Sequence, residues 1–155
     1  MNLTISDEAA MLALGRRLAQ GCSRDAVIYL RGKLGAGKTT LVRGFMDAMG
    51  YRGAVKSPTY TLIEPYEVGG RHFYHLDLYR IEEAAELEYL GLRELHEGDG
   101  VMLVEWPERW ERKLPPADIV LDIQHQGSER RVDIKAATDA GMAMQEALGA
   151  DFSSG

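Results

Sequence analysis

Eight residues, Gly32-Lys33-Leu34-Gly35-Ala36-Gly37-Lys38-Thr39, constrain this chain more than any other stretch. They match the pattern G-x-x-x-x-G-K-[ST] without a mismatch. Their setting suits the pattern. The run AVIYL just before them (26–30) is apolar and rich in strand formers. After them a helix is expected from Lys38 to Met49, with Leu41, Val42, Phe45 and Met49 on one face and Gly50 as its stop. A buried strand, a glycine turn and a helix in that order make a P-loop. The glycines let successive backbone N–H groups converge on phosphate oxygens. The helix start aims the positive end of its dipole at the same place. In such a loop the Lys38 ammonium reaches the β- and γ-phosphates, and the Thr39 hydroxyl ligates Mg2+. The expected ligands are therefore ATP or ADP, or a close relative, with Mg2+. Lys33 adds a second cation and is expected to face solvent, with contact to phosphate as the alternative.

A P-loop enzyme needs a carboxylate at the end of a buried strand to hold Mg2+, often through water. Glu105 comes directly after the apolar run VMLV and meets that need. Asp77 lies in HLDLY, where strand alternation puts His75, Asp77 and Tyr79 on one side and Leu76 and Leu78 on the other. It is a candidate either for the magnesium shell or for orienting an attacking water, and a solvated strand face is an even alternative. Thr59 and Thr61 come after the P-loop helix in a proline-containing stretch. Nucleotide switches often place a hydroxyl there to sense the γ-phosphate. The four histidines, His72, His75, His96 and His125, show no metal spacing and read as ordinary strand or surface residues.

The rest of the chain reads as alternating helices and strands. Ser6 is the expected cap of a first helix carrying Met11, Leu14 and Leu18 on one face and ending at Gly21. Strands are expected from Tyr60 to Glu67 and from Arg71 to Tyr79, joined by Gly69-Gly70. An acidic helical segment from Glu82 to Leu95 comes next, with Leu87, Leu90 and Leu95 as apolar anchors. A hairpin around Gly127, with Ile119, Leu121 and Ile123 alternating on one arm and Val132 and Ile134 on the other, is expected to have one wet face. A last helix is expected from Asp139 to Leu148. The fold class is α/β, a P-loop NTPase-like three-layer sandwich whose central sheet is mixed, because the hairpins forbid a purely parallel one. Residues 1–150 read as a single domain and 151–155 as a flexible tail.

Composition narrows the functional classes. A net charge of −6 argues against gripping nucleic acid alone, which needs a basic face. One cysteine, Cys22, allows no internal disulfide. No signal peptide or membrane-spanning run is apparent, so the cytoplasm is the expected compartment. A guanine-specifying N-K-x-D element is ruled out, because the only asparagine is Asn2. A small-molecule kinase would need an acceptor pocket and a lid, for which few residues remain.

Four blocks, GKLGAGKTTLVRGF, VKSPTYTLIEPYE, YHLDLYRIEEAAELEYLGLRE and VMLVEWPERW, resemble the TsaE (formerly YjeE) family in order and spacing. The resemblance covers nearly the whole chain. It implies a bacterial Mg2+-dependent ATPase needed for threonylcarbamoyladenosine, a modified base in tRNA. Its partners would be the TsaD and TsaB proteins, with tRNA met only indirectly through their complex. Carried over, the phosphate cradle is Gly32, Lys33, Leu34, Gly35, Ala36, Gly37, Lys38, Thr39 and Thr40. Thr39 and Glu105 would be on the metal, and Asp77 matches an aspartate implicated in hydrolysis. Trp106 matches a tryptophan beside the nucleotide, and Asp7 to Met11 would border the base. The chain departs from the family at Lys33, where an acidic residue is common. The resulting expectation is an ATPase weak alone and productive in a complex. The alternatives are a small-molecule kinase and a non-hydrolytic nucleotide-sensing scaffold.

Overall fold

The computed structural model describes residues 1–23 and 25–152. Its seven strands are β1 (Asn2–Ile5), β2 (Ala26–Arg31), β3 (Ile63–Val68), β4 (Arg71–Asp77), β5 (Val101–Glu105), β6 (Ile119–Gln126) and β7 (Glu129–Ala136). The helices are α1 (Glu8–Gln20), α2 (Lys38–Ala48), α3 (Ala84–Tyr89), α4 (Leu92–Glu97) and α5 (Asp139–Phe152). One sheet holds the strands in the order β1-β7-β6-β2-β5-β4-β3. The central four, β6, β2, β5 and β4, run parallel, while β1, β7 and β3 are antiparallel to their neighbours. The sheet is thus mixed, with flanking helices, as the hairpins require.

The two middle strands are apolar on both faces because both faces are covered. Ile28, Leu30, Val101 and Leu103 pack with Leu14, Leu18, Leu41, Phe45 and Leu148 from α1, α2 and α5. Val27, Tyr29, Met102 and Val104 pack with Leu87 and Leu92 from α3 and α4. Each fully buried leucine, isoleucine or valine contributes roughly 1.5–3 kcal/mol relative to exposure. Helices α1 and α2 meet backbone to backbone. A Cβ at Gly15 would lie 2.0 Å from the Leu41 carbonyl oxygen, and one at Gly44 would lie 2.1 Å from that of Leu12. No side chain larger than hydrogen fits at either position, so the two glycines set how closely α2 lies against α1.

Several boundaries differ from the sequence expectations. The first helix is capped by Asp7, not Ser6: the Asp7 carboxylate accepts the Ala10 N–H at 2.8 Å. Both residue types cap well, and only the backbone geometry chooses between them. Asn2–Ile5 forms an edge strand that the sequence does not announce, since four residues carry too little periodicity and their pairing with β7 is non-local. The third strand begins at Ile63, because residues 58–62 turn: Leu62 N–H donates to the Pro58 carbonyl at 2.8 Å. The fourth ends at Asp77. The acidic segment is two short helices, broken where Gly91 takes a left-handed φ of 68°. Helix α5 runs through Phe152, and residues 153–155 of the expected tail lie outside the described residues. Among the described residues, no helix is long and apolar enough to cross a membrane.

Candidate functional site

Strands β2, β5 and β4 end side by side, and the segments just past their ends build one site. Leu30 and Asp77 are the register partners of Glu105 from its two sides. In open α/β sheets ligands bind outside the carboxyl ends of the strands. Beyond β2 the chain turns through Gly32, Gly35 and Gly37, with φ of 147°, 76° and 112°. Such values favour glycine, and at Gly32 a Cβ would also lie 2.6 Å from the Ile123 carbonyl oxygen. Gly37 is the N-cap of α2 and makes no side-chain capping bond. The first-turn N–H groups of α2 are therefore left for a ligand, and an anion suits them. Lys33 and Leu34 are exposed.

Lys38 is only 5% exposed. Its ammonium donates to the Gly32 carbonyl and sits over the Trp106 ring, 3.5 Å from the ring centre. Burial pulls its pKa below the usual lysine value, while Glu105 and Asp77 oppose that shift. The Thr39 hydroxyl donates to Glu105 Oε2 at 3.2 Å. Glu105 and Asp77 are buried, so Asp77 does not lie on a solvated strand face. Burial raises the Asp77 pKa above its usual value. The Tyr79 N–H donates to its Oδ1 at 3.0 Å, and the Thr59 hydroxyl to its Oδ2 at 3.3 Å. Of the two switch candidates, then, Thr59 reaches the site. Thr61 does not: its hydroxyl donates to Glu64 at 2.9 Å.

Two non-glycine residues among those described have positive φ, Leu62 at 69° and Trp106 at 59°. Both adjoin the site. The Leu62 carbonyl accepts the Asp77 N–H, and Trp106 N–H donates to the Leu30 carbonyl. Strained backbone of this kind concentrates at ligand sites. Trp106 also packs on Tyr79, with ring centroids 4.7 Å apart.

The donor set fits a hard divalent cation. The Thr39 hydroxyl and the Glu105 and Asp77 carboxylates are oxygen donors, the kind Mg2+ takes. Among the described residues no group of three or more His, Cys, Asp or Glu side chains would hold an ion.

Sequence reasoning missed two residues here. Arg130, on β7, donates from Nε to the Ala36 carbonyl and from Nη2 to the Gly35 carbonyl, each at 3.2 Å. Nothing local marks it, because the contact exists only once β7 lies beside the loop. His75 is fully buried against Glu105, with Nε2 2.5 Å from Oε2. Its signal was present, since strand alternation already put it on the face of Asp77. Beside the glycine loop a cleft of about 310 Å³ opens, lined by Asp7, Met11, Gly37, Thr40, Arg43 and Arg130 among others.

Residues 5–132 match the family described as "Threonylcarbamoyl adenosine biosynthesis protein TsaE". The chain belongs to the TsaE family. A tRNA threonylcarbamoyladenosine biosynthesis protein TsaE from Haemophilus influenzae is 42% identical over 142 residues, covering 88% of this chain and 90% of that one. The TsaE of Bacillus subtilis is 44% identical over 119 residues, covering 77% and 74%. A crystal structure of Bacillus subtilis YdiB superposes with a TM-score of 0.82 at 30% identity, over 97% of this chain and 95% of that one. TsaE membership ties the chain to threonylcarbamoyladenosine biosynthesis in general terms.

Proposed function

We propose that this chain is a Mg2+-dependent P-loop ATPase that supports tRNA threonylcarbamoyladenosine modification by acting on a TsaD–TsaB complex. The observation that carries the reading is the Thr39–Glu105 hydrogen bond. It joins the first turn of the glycine-loop helix to the end of a neighbouring buried strand, where a P-loop enzyme needs its metal-bearing pair.

Each residue has a role set by its position. The N–H groups of the glycine loop and of the first turn of α2 bind the phosphate oxygens. Lys38 leaves the Gly32 carbonyl for the β- and γ-phosphates, where a buried ammonium finds a stronger partner. Thr39 and Glu105 would hold Mg2+, which when bound neutralises charge on the phosphates. Asp77, fixed through Tyr79 and Thr59, accepts a hydrogen bond from the attacking water and holds it in line. Trp106 and Tyr79, packed ring on ring, form one wall of the site. The cleft beside Asp7 and Met11 would take the base side of the nucleotide.

The chain alone would turn over slowly. Tyr60, beside Thr59, is 82% exposed, so the segment that touches Asp77 is uncovered on its outer side. A partner surface over this segment would order Thr59 and complete the site. The net charge of −6 favours meeting tRNA only through that partner.

The test is release of phosphate from Mg2+-ATP by the chain alone and with TsaD and TsaB. A marked rise with the partners is expected. Equal rates would remove partner activation, and transfer of the phosphate to a metabolite in place of water would make the protein a kinase.

A further inference from the structure

We propose that His75 is a positioning residue, which fixes the Glu105 carboxylate so that it presents itself beside the Thr39 hydroxyl. The inference rests on the nucleotide reading above and adds a residue to it. His75 lies on β4, two residues before Asp77, and is 0% exposed. Its Nε2 is 2.5 Å from Glu105 Oε2, the same oxygen that accepts the Thr39 hydroxyl at 3.2 Å. Its Nδ1 is also buried and has no hydrogen-bond partner.

These contacts select the tautomer. An ionised carboxylate only accepts hydrogen bonds, so the contact needs the proton on Nε2. The neutral ring then leaves Nδ1 as a bare acceptor, in agreement with its lack of a partner. Any state with a proton on Nδ1 would bury an N–H facing nothing, and orphaned buried N–H groups are rare. Held between the imidazole N–H and the Thr39 hydroxyl, Oε2 cannot turn away.

A purely structural role would not call for this side chain. A leucine would fill a fully buried strand position without a polar ring to desolvate. Histidine at this position, donating to this oxygen, is explained by control of the carboxylate. Partners of this kind, one shell out from an ion, orient the residues that touch it.

The experiment compares His75→Leu and His75→Gln with the wild-type chain. Calorimetry measures ADP binding in EDTA, and electron paramagnetic resonance measures Mn2+ binding to the ADP complex. In His75→Leu, Mn2+ affinity is expected to fall about tenfold or more, with metal-free ADP binding unchanged. In His75→Gln, whose amide nitrogen reaches the place of Nε2, most of the affinity returns. Unchanged Mn2+ affinity in the leucine variant, an equal loss of metal-free ADP binding, or no rescue by glutamine in a folded variant each overturns the proposal. If the wild-type chain bound no ADP, the nucleotide reading would fall and carry this one with it. Normal wild-type binding with unaltered Mn2+ affinity in the leucine variant overturns the positioning role alone. Should the variants not fold, nitrogen-15 NMR of the wild-type imidazole decides: an Nε2–H tautomer supports the proposal, and an Nδ1–H tautomer overturns it.

Discussion

The Lys38 ammonium stands over the Trp106 ring, 3.5 Å from its centre, while donating to the Gly32 carbonyl of its own loop. A cation over an indole face is attracted by the ring quadrupole, by about 0.5–2 kcal/mol depending on solvation. On the proposed nucleotide reading, phosphate oxygens would give the ammonium a better partner and change its distance from the ring. Trp106 should therefore report occupancy. In a Trp110→Phe background, ADP is expected to change the remaining tryptophan emission with saturation. The change should vanish in Lys38→Ala, which loses binding too. Saturable ADP binding by calorimetry with silent Trp106 emission would show that Lys38 keeps its place.

Asp77 bears a cost in the folded chain. Burial raises its pKa above the ordinary value of 3.8. The folded state therefore holds this proton more tightly than the unfolded state does. Its contribution to stability is greatest below the unfolded value and declines as pH rises through the folded one. Asp77→Asn is expected to melt at a higher temperature than wild type at pH 7, with the gap closing as pH falls towards 3.8. The same variant should bind ADP normally yet lose about 10²-fold or more of its hydrolysis rate. An unchanged or lower melting temperature at pH 7 would mean that the carboxylate stabilises the empty fold.

The contact of α1 with α2 depends on absent side chains. Gly44→Ala would force its Cβ against the Leu12 carbonyl, 2.1 Å away in the native arrangement. The expected loss is about 1–3 kcal/mol, as for other overpacked interiors, read by urea denaturation. Gly98→Ala is the control: φ there is −85° and the new Cβ finds nothing nearer than 3.6 Å. It should stay within about 0.5 kcal/mol of wild type. Equal effects of the two would mean that α1 and α2 separate readily.

Arg130 grips the Gly35 and Ala36 carbonyls from outside the loop. With those oxygens held outward, the peptide planes are set before any phosphate arrives. Arg130→Leu is expected to speed amide exchange in residues 35–37 and to weaken ADP binding about tenfold, in keeping with roughly 1.5–3 kcal/mol for charged hydrogen bonds. Unaltered exchange in these amides would show that the glycine loop holds its shape unaided.

How much of this was legible in the sequence depended on range. The loop and its helix were readable because every requirement lies within one short stretch: the apolar strand, the glycines, Lys38 and Thr39. Glu105 was visible as a strand-end carboxylate and Asp77 as one in an alternating strand, but their burial was not, since it needs the two strands to lie side by side in the sheet. Ser6 and Asp7 cap equally well on paper, and Gly91 breaks a helix that its flanking leucines support.

Backbone curvature at glycines and the charge of Lys38 are local properties, so residues 32–39 could be read without the fold. Which distant residues gather around them follows from the folded sheet. Thr59 reaches Asp77 while Thr61 turns to Glu64, His75 holds Glu105, and Arg130 holds a loop almost a hundred residues before it. Those pairings depend on strand order and register, which bring distant residues within hydrogen-bonding distance only after the sheet has formed.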